Sequence, residues 1–166
     1  MEIKIKYHLE SRKIEKHGNW IDLYPRKSYF FKAPQPKLNI NTEETEIIFD
    51  GRKIDLGISM KLPKFVEAWV VPRSSTYTKQ GLIQSNHKGI IDDTFCGEKD
   101  IWMFPAIALK ETIITPDKAV CQFRLQLSQD APFWMHIKWI FTKIKFKEVD
   151  VLTGPNRGGF GHTDTN

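Results

Sequence analysis

Apolar and polar residues alternate with a period of two through much of this 166-residue chain. The alternation, together with short β-branched and aromatic runs, covers residues 53–62, 65–71, 101–109, 119–127 and 137–149. A period of two places successive side chains on opposite faces of a strand, whereas an amphipathic helix requires a period of about 3.6. The pattern therefore predicts an all-β domain.

Prolines and turn pairs separate these segments. Proline lacks the amide hydrogen that a strand ladder uses, so prolines predict strand borders, and Asp50-Gly51 and Pro116-Asp117 are typical of turns. Many short strands with regular turns indicate a sandwich or a barrel. One short helix is predicted over Ser74 to Gly81, with serine at its N-cap. The border prolines are Pro63, Pro72, Pro105, Pro116 and Pro132.

The composition narrows the class of protein. With 40% hydrophobic and 27% charged residues, it excludes a disordered or fibrous chain. No stretch reaches the roughly 18 apolar residues of a membrane helix, so we expect a cytoplasmic protein with no membrane partner. Cys96 and Cys121 lack metal-ligand spacing and a disulfide framework, which fits a reducing compartment. The net charge of +5 is too small to predict stable nucleic-acid binding.

The C-terminal segment differs from the rest of the chain. It reads TGPNRGGFGHTDTN from Thr153 and contains four of the ten glycines. We expect residues 1–153 to form the β domain and residues 154–166 to form a flexible glycine-rich arm. Most tails of this composition are frayed ends, but here Arg157 can bind a phosphate through its guanidinium fork and Phe160 can cover a planar base.

Five short segments, in a fixed order from Gly18 to Asp164, give this arm a context. They are GNWIDLY (18–24), PRSS (72–75), NHKGIIDDTFCGE (86–98), the weaker PDKAVCQF (116–123) and RGGFGHTD (157–164). Together they resemble the five motifs of the trimeric dUTPase family. The resemblance implies a jelly-roll-like distorted barrel, mostly antiparallel with little helix, that assembles as a homotrimer with shared active sites. It also implies Mg²⁺-dependent hydrolysis of dUTP to dUMP and pyrophosphate, which limits uracil incorporation into DNA and supplies dUMP for dTMP synthesis.

Asp92 matches the family's general base. Cleaving a nucleoside triphosphate between its first two phosphates requires an activated water, and a carboxylate within hydrogen-bond reach can take the proton of that water. An isolated Asp pair is more typical of a polar turn, so the assignment of Asp92 depends on its neighbours in the third motif. Asp93 and Thr94 are predicted to form the turn only.

The third motif also matches the nucleoside pocket, through Asn86, Gly89, Ile91 and Phe95. The Watson–Crick edge of uracil presents acceptor, donor and acceptor, so strand-like backbone and one amide side chain complement it, and cytosine leaves a buried mismatch. Phe95 stands where the family usually has tyrosine. Its ring is expected to press against the sugar, but it lacks the phenol oxygen, so discrimination against ribose is expected to be weaker.

The first, second and fourth motifs supply the phosphate side of the site. By resemblance, Ser74 and Ser75 bind phosphates near the cleaved bond, and Gln122 helps to hold the substrate or the attacking water. Arg73 belongs to the same substrate-binding segment, as a structural or inter-subunit ion-pair residue. Two hydroxyls and turn amides also form a compact phosphate nest, although a bare PRSS is more typical of a turn or helix cap. Asp22 matches the carboxylate that contacts Mg²⁺ through water, which suits a cation held mainly by phosphates.

The fifth motif implies that the arm closes over bound substrate. Phe160 is expected to stack on the uracil, and Arg157 is expected to reach the terminal phosphate. Gly161, His162 and Thr163 are expected to add polar contacts. Asp164 departs from the family's glycine and adds a negative charge near that phosphate. Ordering such an arm over a triphosphate excludes bulk water from the site.

Two alternatives stay open. A dCTP deaminase shares the fold and an RSS segment, but its acid is a glutamate in the strand after the third motif, and that strand here reads Ile101, Trp102, Met103, Phe104. A dUTPase-like protein-binding or nucleic-acid-binding module is the other, based on a basic and aromatic segment within residues 138–147. Ala131 to Val149 also makes the chain longer than is usual in the family and is interpreted as an extra or elongated strand.

Overall fold

The computed structural model describes residues 1–158. Within this range the backbone forms fifteen strands and two short helices. The strands are β1 (Glu2–Tyr7), β2 (Glu15–His17), β3 (Trp20–Leu23), β4 (Tyr29–Phe31), β5 (Gln35–Leu38), β6 (Thr45–Ile48), β7 (Gly51–Asp55), β8 (Ile58–Lys61), β9 (Val66–Pro72), β10 (Leu82–Gln84), β11 (Gly89–Ile91), β12 (Met103–Ala108), β13 (Thr112–Ile114), β14 (Cys121–Leu127) and β15 (Lys145–Glu148). The helices are α1 (Ser74–Gln80) and α2 (Phe133–Ile140).

The strands form small sheets around one core. The largest sheet has the order β11-β9-β14-β3-β2, and two three-stranded sheets have the orders β15-β1-β8 and β10-β12-β7. Two further pairs are β13-β4 and β5-β6. All of these pairings are antiparallel except that of β1 with β15. The all-β, mostly antiparallel prediction is therefore confirmed.

The core lies between these sheets and contains the inward positions of the alternating segments. Trp102, Phe104 and Phe123 are fully buried, and the rings of Trp102 and Phe123 meet edge to face with centroids 5.2 Å apart. Each buried aromatic side chain removes a large apolar area from water, which is the main force that holds such a domain together. The core fixes the strands that carry the predicted site residues.

Segment 131–149 contains a short strand rather than the long one that its sequence suggested, because a helix occupies its first half. Residues 133–140 are helical, and only residues 145–148 form a strand, β15, which pairs parallel to β1. Apolar residues recur at spacings of three and four from Phe133 through Ile137 to Ile140, which is a helical period, and Pro132 precedes the first turn, where a missing amide hydrogen costs nothing. The predicted strand over residues 137–149 was wrong for its first half.

The basic and aromatic segment within residues 138–147 is divided by this helix. Lys138 and Trp139 belong to α2, whereas Phe146 belongs to β15 and packs edge to face against Phe123 in the core. The segment is therefore not one strand with a continuous exposed basic face.

Helix α1 forms where it was predicted but with a different cap. It begins at Ser74, and the N-cap residue is Arg73, so the predicted serine cap was wrong. Thr76 fixes this end of the helix, because its Oγ1 accepts the Arg73 amide at 2.9 Å and donates to the Val120 carbonyl at 2.8 Å. Gly81 ends the helix with a positive φ of 65°, which glycine adopts without steric cost.

Pro105 also departs from the prediction, because it lies inside β12 rather than at a border. It pairs with Lys53 of β7, and the pairing of β12 with β10 ends one residue away at Ala106. The proline carbonyl still accepts the Ser85 amide at 3.0 Å. Between residues 1 and 158 the structure contains no helix with the length and apolar character needed to cross a bilayer.

Candidate active site

Three neighbouring strands bring the first, second and fourth motifs together. In β14, Gln122 lies opposite Asp22 of β3 on one side and opposite Val71 of β9 on the other. The Gln122 side chain donates to the Pro72 carbonyl at 3.3 Å, one residue before Arg73. The sheet register therefore places the predicted metal-associated carboxylate, the predicted phosphate segment and the predicted glutamine at one end of the sheet.

Asp22 and Arg73 form an ion pair at this end. The Arg73 Nε atom lies 3.0 Å from Asp22 Oδ1, and the Asp22 side chain is only 4% exposed. His17 Nε2 lies 3.7 Å from the other oxygen, Oδ2. A buried carboxylate is tolerated only when it is paired, so Arg73 has a structural role in holding Asp22.

A cleft of about 550 Å³ opens beside this pair, and we call it the Asp22 cleft. Ser75 of α1 lines it, together with two cations that were given no role in the sequence analysis: Lys79, which lies outside the motifs, and Lys118 of the fourth motif. Basic side chains and a hydroxyl around a concave surface are suited to an anionic ligand such as a polyphosphate. Ser74 is exposed at the first position of α1.

The Asp22 cleft suits Mg²⁺ only if the ion keeps most of its waters. No cluster of three or more His, Cys, Asp or Glu side chains that could hold a metal occurs within residues 1–158. One oxygen of Asp22 is taken by Arg73, whereas the side chain still lines the cleft. One carboxylate acting through water fits a Mg²⁺ ion whose other ligands are phosphate oxygens.

The predicted base, Asp92, lies in the turn after β11 and accepts several hydrogen bonds. Its Oδ1 accepts the Thr94 amide at 2.9 Å and the Thr94 hydroxyl at 2.5 Å. One guanidinium nitrogen of Arg157 lies 3.0 Å from Oδ1 and 2.9 Å from Oδ2 and also donates to Thr94 Oγ1. Thr94 is thus more than a turn former, because it orients the carboxylate.

These contacts act on the pKa of Asp92. Partial burial raises this pKa, but the hydrogen bonds from Thr94 and from Arg157 lower it and outweigh burial, so the pKa lies below its usual value. The carboxylate is therefore ionised at neutral pH, as a general base must be. Its side chain is 44% exposed, so water has access to it.

The predicted nucleoside residues surround the same hairpin. Gly89 and Ile91 belong to β11 and pair with Val70 and Ala68 of β9. Asn86 is exposed in the turn before β11, and its side-chain oxygen accepts from Gln84 at 2.8 Å. Phe95 is half-buried and packs against the hydrophobic core.

The start of the predicted arm lies against the end of the third motif. Gly154 forms a parallel bridge with Gly97, and the Asn156 side chain accepts the Lys99 amide at 2.7 Å. Asp100, which is 1% exposed, accepts the backbone amides of Gly97, Arg157 and Gly158 at 2.9–3.1 Å. Sequence reasoning missed Asp100, because its partners are up to 58 residues away.

Phe160, Gly161, His162 and Thr163 lie outside the described residues, so their predicted contacts with uracil and phosphate stay predictions. Arg157 is described, and its guanidinium contacts Asp92 and Thr94.

The two groups of predicted residues are well separated within one chain. Ile91, next to Asp92, pairs with Ala68, whereas Arg73 follows the opposite end of β9. Five residues at a strand rise of about 3.4 Å place the Asp92 turn roughly 17 Å from Arg73. A nucleophilic water beside Asp92 is therefore remote from the Asp22 cleft of the same chain.

Curated relatives identify the family. The chain is 38% identical over 168 residues to the SPbeta prophage-derived deoxyuridine 5'-triphosphate nucleotidohydrolase of Bacillus subtilis, with 99% of both chains covered. This chain belongs to the dUTPase family. A second relative, the deoxyuridine 5'-triphosphate nucleotidohydrolase of Clostridium acetobutylicum, is 32% identical to this chain over 130 residues. The match covers 76% of this chain and 80% of that protein. A scan against protein-family models found no match.

Solved dUTPase structures support the same fold. The dUTPase of Streptococcus mutans matches with a TM-score of 0.61 over 78% of this chain and 98% of that chain, at 12% sequence identity. The dUTPase of phage phi11 of S. aureus matches with a TM-score of 0.58 over 79% of this chain and 94% of that chain, at 10% identity. The jelly-roll-like prediction for this dUTPase is thereby confirmed.

Proposed function

We propose that this dUTPase hydrolyses dUTP to dUMP and pyrophosphate at active sites that three copies of the chain complete together. The observation that carries the shared-site proposal is the separation of roughly 17 Å between the Asp92 turn and Arg73 along β9. Both groups must reach one triphosphate for hydrolysis. A site that combines the Asp92 turn of one copy with the Asp22 cleft of another satisfies this requirement, and a closed cyclic trimer contains three such sites.

Exposed apolar side chains support association of the chains. They cluster on α2 and on the β5-β6 hairpin, where a monomeric protein rarely leaves so many large hydrophobic groups in water. The exposed side chains are Phe133, Trp134, Ile137 and Ile140 on α2 and Leu38, Ile47 and Ile48 on the hairpin.

In the proposed reaction, Asp92 accepts a proton from water while the water oxygen bonds to the α-phosphorus. The bond from that phosphorus to the oxygen bridging the β-phosphate breaks, and pyrophosphate leaves with that oxygen. Asp92 then releases its proton to solvent. The phosphates are positioned by Ser75, Gln122 and Arg73. When substrate is present, Arg157 moves from Asp92 to the terminal phosphate, so the Asp92 carboxylate is free to accept the proton of the water.

Nucleoside selection is assigned to Asn86, the β11 backbone at Gly89 and Ile91, and Phe95. Free buried Cys96 and Cys121 support a cytoplasmic location for this enzyme. Asp22 would hold Mg²⁺ through water, and the bound ion would supply charge neutralisation for the three phosphates. The phi11 dUTPase is described with a structural Mg(II) ion, which supports a Mg²⁺ requirement here.

Pyrophosphate release from dUTP, dCTP, dTTP and UTP with Mg²⁺ tests the function. We expect turnover of dUTP to exceed that of dCTP by on the order of 10³-fold or more, since cytosine leaves a mismatched hydrogen bond in the pocket. Thymine has the same hydrogen-bonding edge as uracil, so rejection of dTTP depends on steric exclusion of its 5-methyl group. UTP is expected to be rejected less strongly, because Phe95 lacks the phenol oxygen. Ammonia release from dCTP, with dUTP left intact, would contradict the proposal and indicate a deaminase.

A further inference from the structure

Asp100 lies where the third motif meets the arm, and none of the five motifs gives it a role. It follows Gly97 by three residues, and its carboxylate is buried. Its Oδ2 accepts the Gly97 amide at 2.9 Å, and its own amide donates to the Gly97 carbonyl at 3.2 Å. These two bonds close a tight turn at the end of the Asp92-bearing segment.

The same carboxylate also holds the arm. The Arg157 amide lies 3.1 Å from Oδ1 and 3.0 Å from Oδ2, and the Gly158 amide lies 3.1 Å from Oδ1. Three backbone amides therefore converge on one buried anion. Hydrogen bonds to a charged acceptor are roughly twice as strong as neutral ones, and a buried carboxylate without them is strongly destabilising. The buried Asp100 carboxylate is therefore stable only while these backbone amides donate to it.

The arm backbone packs directly against the turn that contains Gly97. A Cβ atom on Gly97 would overlap Asn156 and the Pro155 carbonyl, and a Cβ atom on Gly154 would overlap Cys96. Two glycines at facing positions thus allow the arm to approach closely enough for its amides to reach Asp100. The guanidinium of Arg157 then extends from a fixed backbone position to Asp92.

We propose that Asp100 is a positioning residue that fixes the backbone of Arg157 and so determines where its guanidinium acts relative to Asp92. It touches neither substrate nor water in this role. The contribution of Asp100 to turnover rests on the proposed function, whereas its control of the Arg157–Asp92 contact does not. The proposal places the attachment point of the arm at Arg157 and Gly158, four and five residues beyond Thr153, where composition suggested the boundary.

The test without substrate measures the pKa of Asp92 by NMR titration of its carboxyl carbon. The variants are Asp100→Asn, Arg157→Ala and the double variant. An amide in place of the carboxylate offers one acceptor and turns two donor hydrogens toward the converging amides, so Arg157 loses its fixed position. We expect the Asp92 pKa to rise in each single variant, because a lowering contact is lost. We expect the Asp92 pKa of the double variant to equal that of Arg157→Ala, because both substitutions remove the same contact between Arg157 and Asp92.

Asp55→Asn is the matched control. The Asp55 carboxylate also accepts the amide of a nearby glycine, Gly57, at 2.7 Å, but none of the described arm residues, 154–158, contacts it. We expect it to leave the Asp92 pKa unchanged even if the protein is destabilised. An unchanged Asp92 pKa in folded Asp100→Asn, together with a raised pKa in Arg157→Ala, would overturn the proposal.

A second measurement uses the unaltered protein, in case Asp100→Asn does not fold. The amides of Arg157 and Gly158 should exchange with deuterium far more slowly than unprotected amides, since both are bound to a buried carboxylate. Exchange at unprotected rates would also overturn the proposal. With dUTP as substrate, Asp100→Asn is expected to lower kcat on the order of 10²-fold, as misplacement by about 1 Å does, while KM changes less. If the Asp92 pKa rises in Asp100→Asn but kcat is unchanged, Asp100 positions Arg157 without contributing to turnover. If neither the wild type nor any variant turns over dUTP, the proposed function is refuted instead.

Discussion

Replacing Asp92 with asparagine is expected to lower kcat for dUTP hydrolysis by about 10³-fold, within the range that a positioned general base contributes. The amide has nearly the same size and keeps an acceptor for Thr94, but it cannot take a proton from water. Since the carboxylate contacts Arg157 rather than the core, the variant should fold normally. Single-turnover pyrophosphate release with Mg²⁺ measures the chemical step, and dUTP affinity should change much less than kcat.

Asp93→Asn is the control for this variant. It removes the neighbouring carboxylate in the same turn, so it makes the same change of net charge. Asp93 has no assigned contact with substrate, and its turnover is expected to stay near that of the unaltered enzyme. A dUTP turnover of Asp92→Asn equal to that of Asp93→Asn would mean that Asp92 is not the base.

Truncation after Gly158 is expected to reduce kcat/KM by on the order of 10²-fold or more without changing the thermal stability of the domain. It removes Phe160, Gly161, His162 and Thr163, which are predicted to cover the uracil and contact the phosphates, and it keeps the Arg157 and Gly158 amides that bind Asp100. Loss of such a closing segment leaves the substrate open to water and poorly aligned. Initial rates below KM and a melting curve measure the two quantities.

A longer truncation, after Thr153, is the informative comparison. It also removes two of the three backbone amides that Asp100 accepts, so a buried carboxylate loses partners at about 1–3 kcal/mol for each unsatisfied group. We therefore expect a lower melting temperature as well as lost activity. Full activity after the shorter truncation would mean that residues 159–166 take no part in the reaction.

The sequence predicted most of the fold because one property dominates it. Alternation locates β7, β8, β9, β12 and β14 to within a few residues, since each must bury one face. The same rule failed for α2, because it predicts a strand from residue 137 onward, whereas the apolar residues of α2 are spaced by three and four and form a helix. Those residues remain largely exposed in the single chain, so burial in the core did not select them.

The candidate site was predictable only where short segments carry the chemistry. The sheet register places Asp22, Arg73 and Gln122 together, as the motif resemblance implied. Asp100 depends on arm amides 57 and 58 residues later in the chain, and no local pattern encodes that contact. The separation of the Asp92 turn from the Asp22 cleft was likewise invisible in sequence, because it follows from the direction in which β11 pairs with β9.

Mixed trimers of two inactive variants test the shared-site account most directly. Asp92→Asn disables one group, and Ser75→Glu disables the other by adding a negative charge to the Asp22 cleft, at a helix start where an acidic residue does not harm folding. If each site takes these groups from different copies, co-refolding equal amounts should restore about one quarter of the unaltered activity, since each group is intact in half of the copies. Trimers shown by distinct tags to contain both variants, but with no recovered dUTP hydrolysis, would contradict the account.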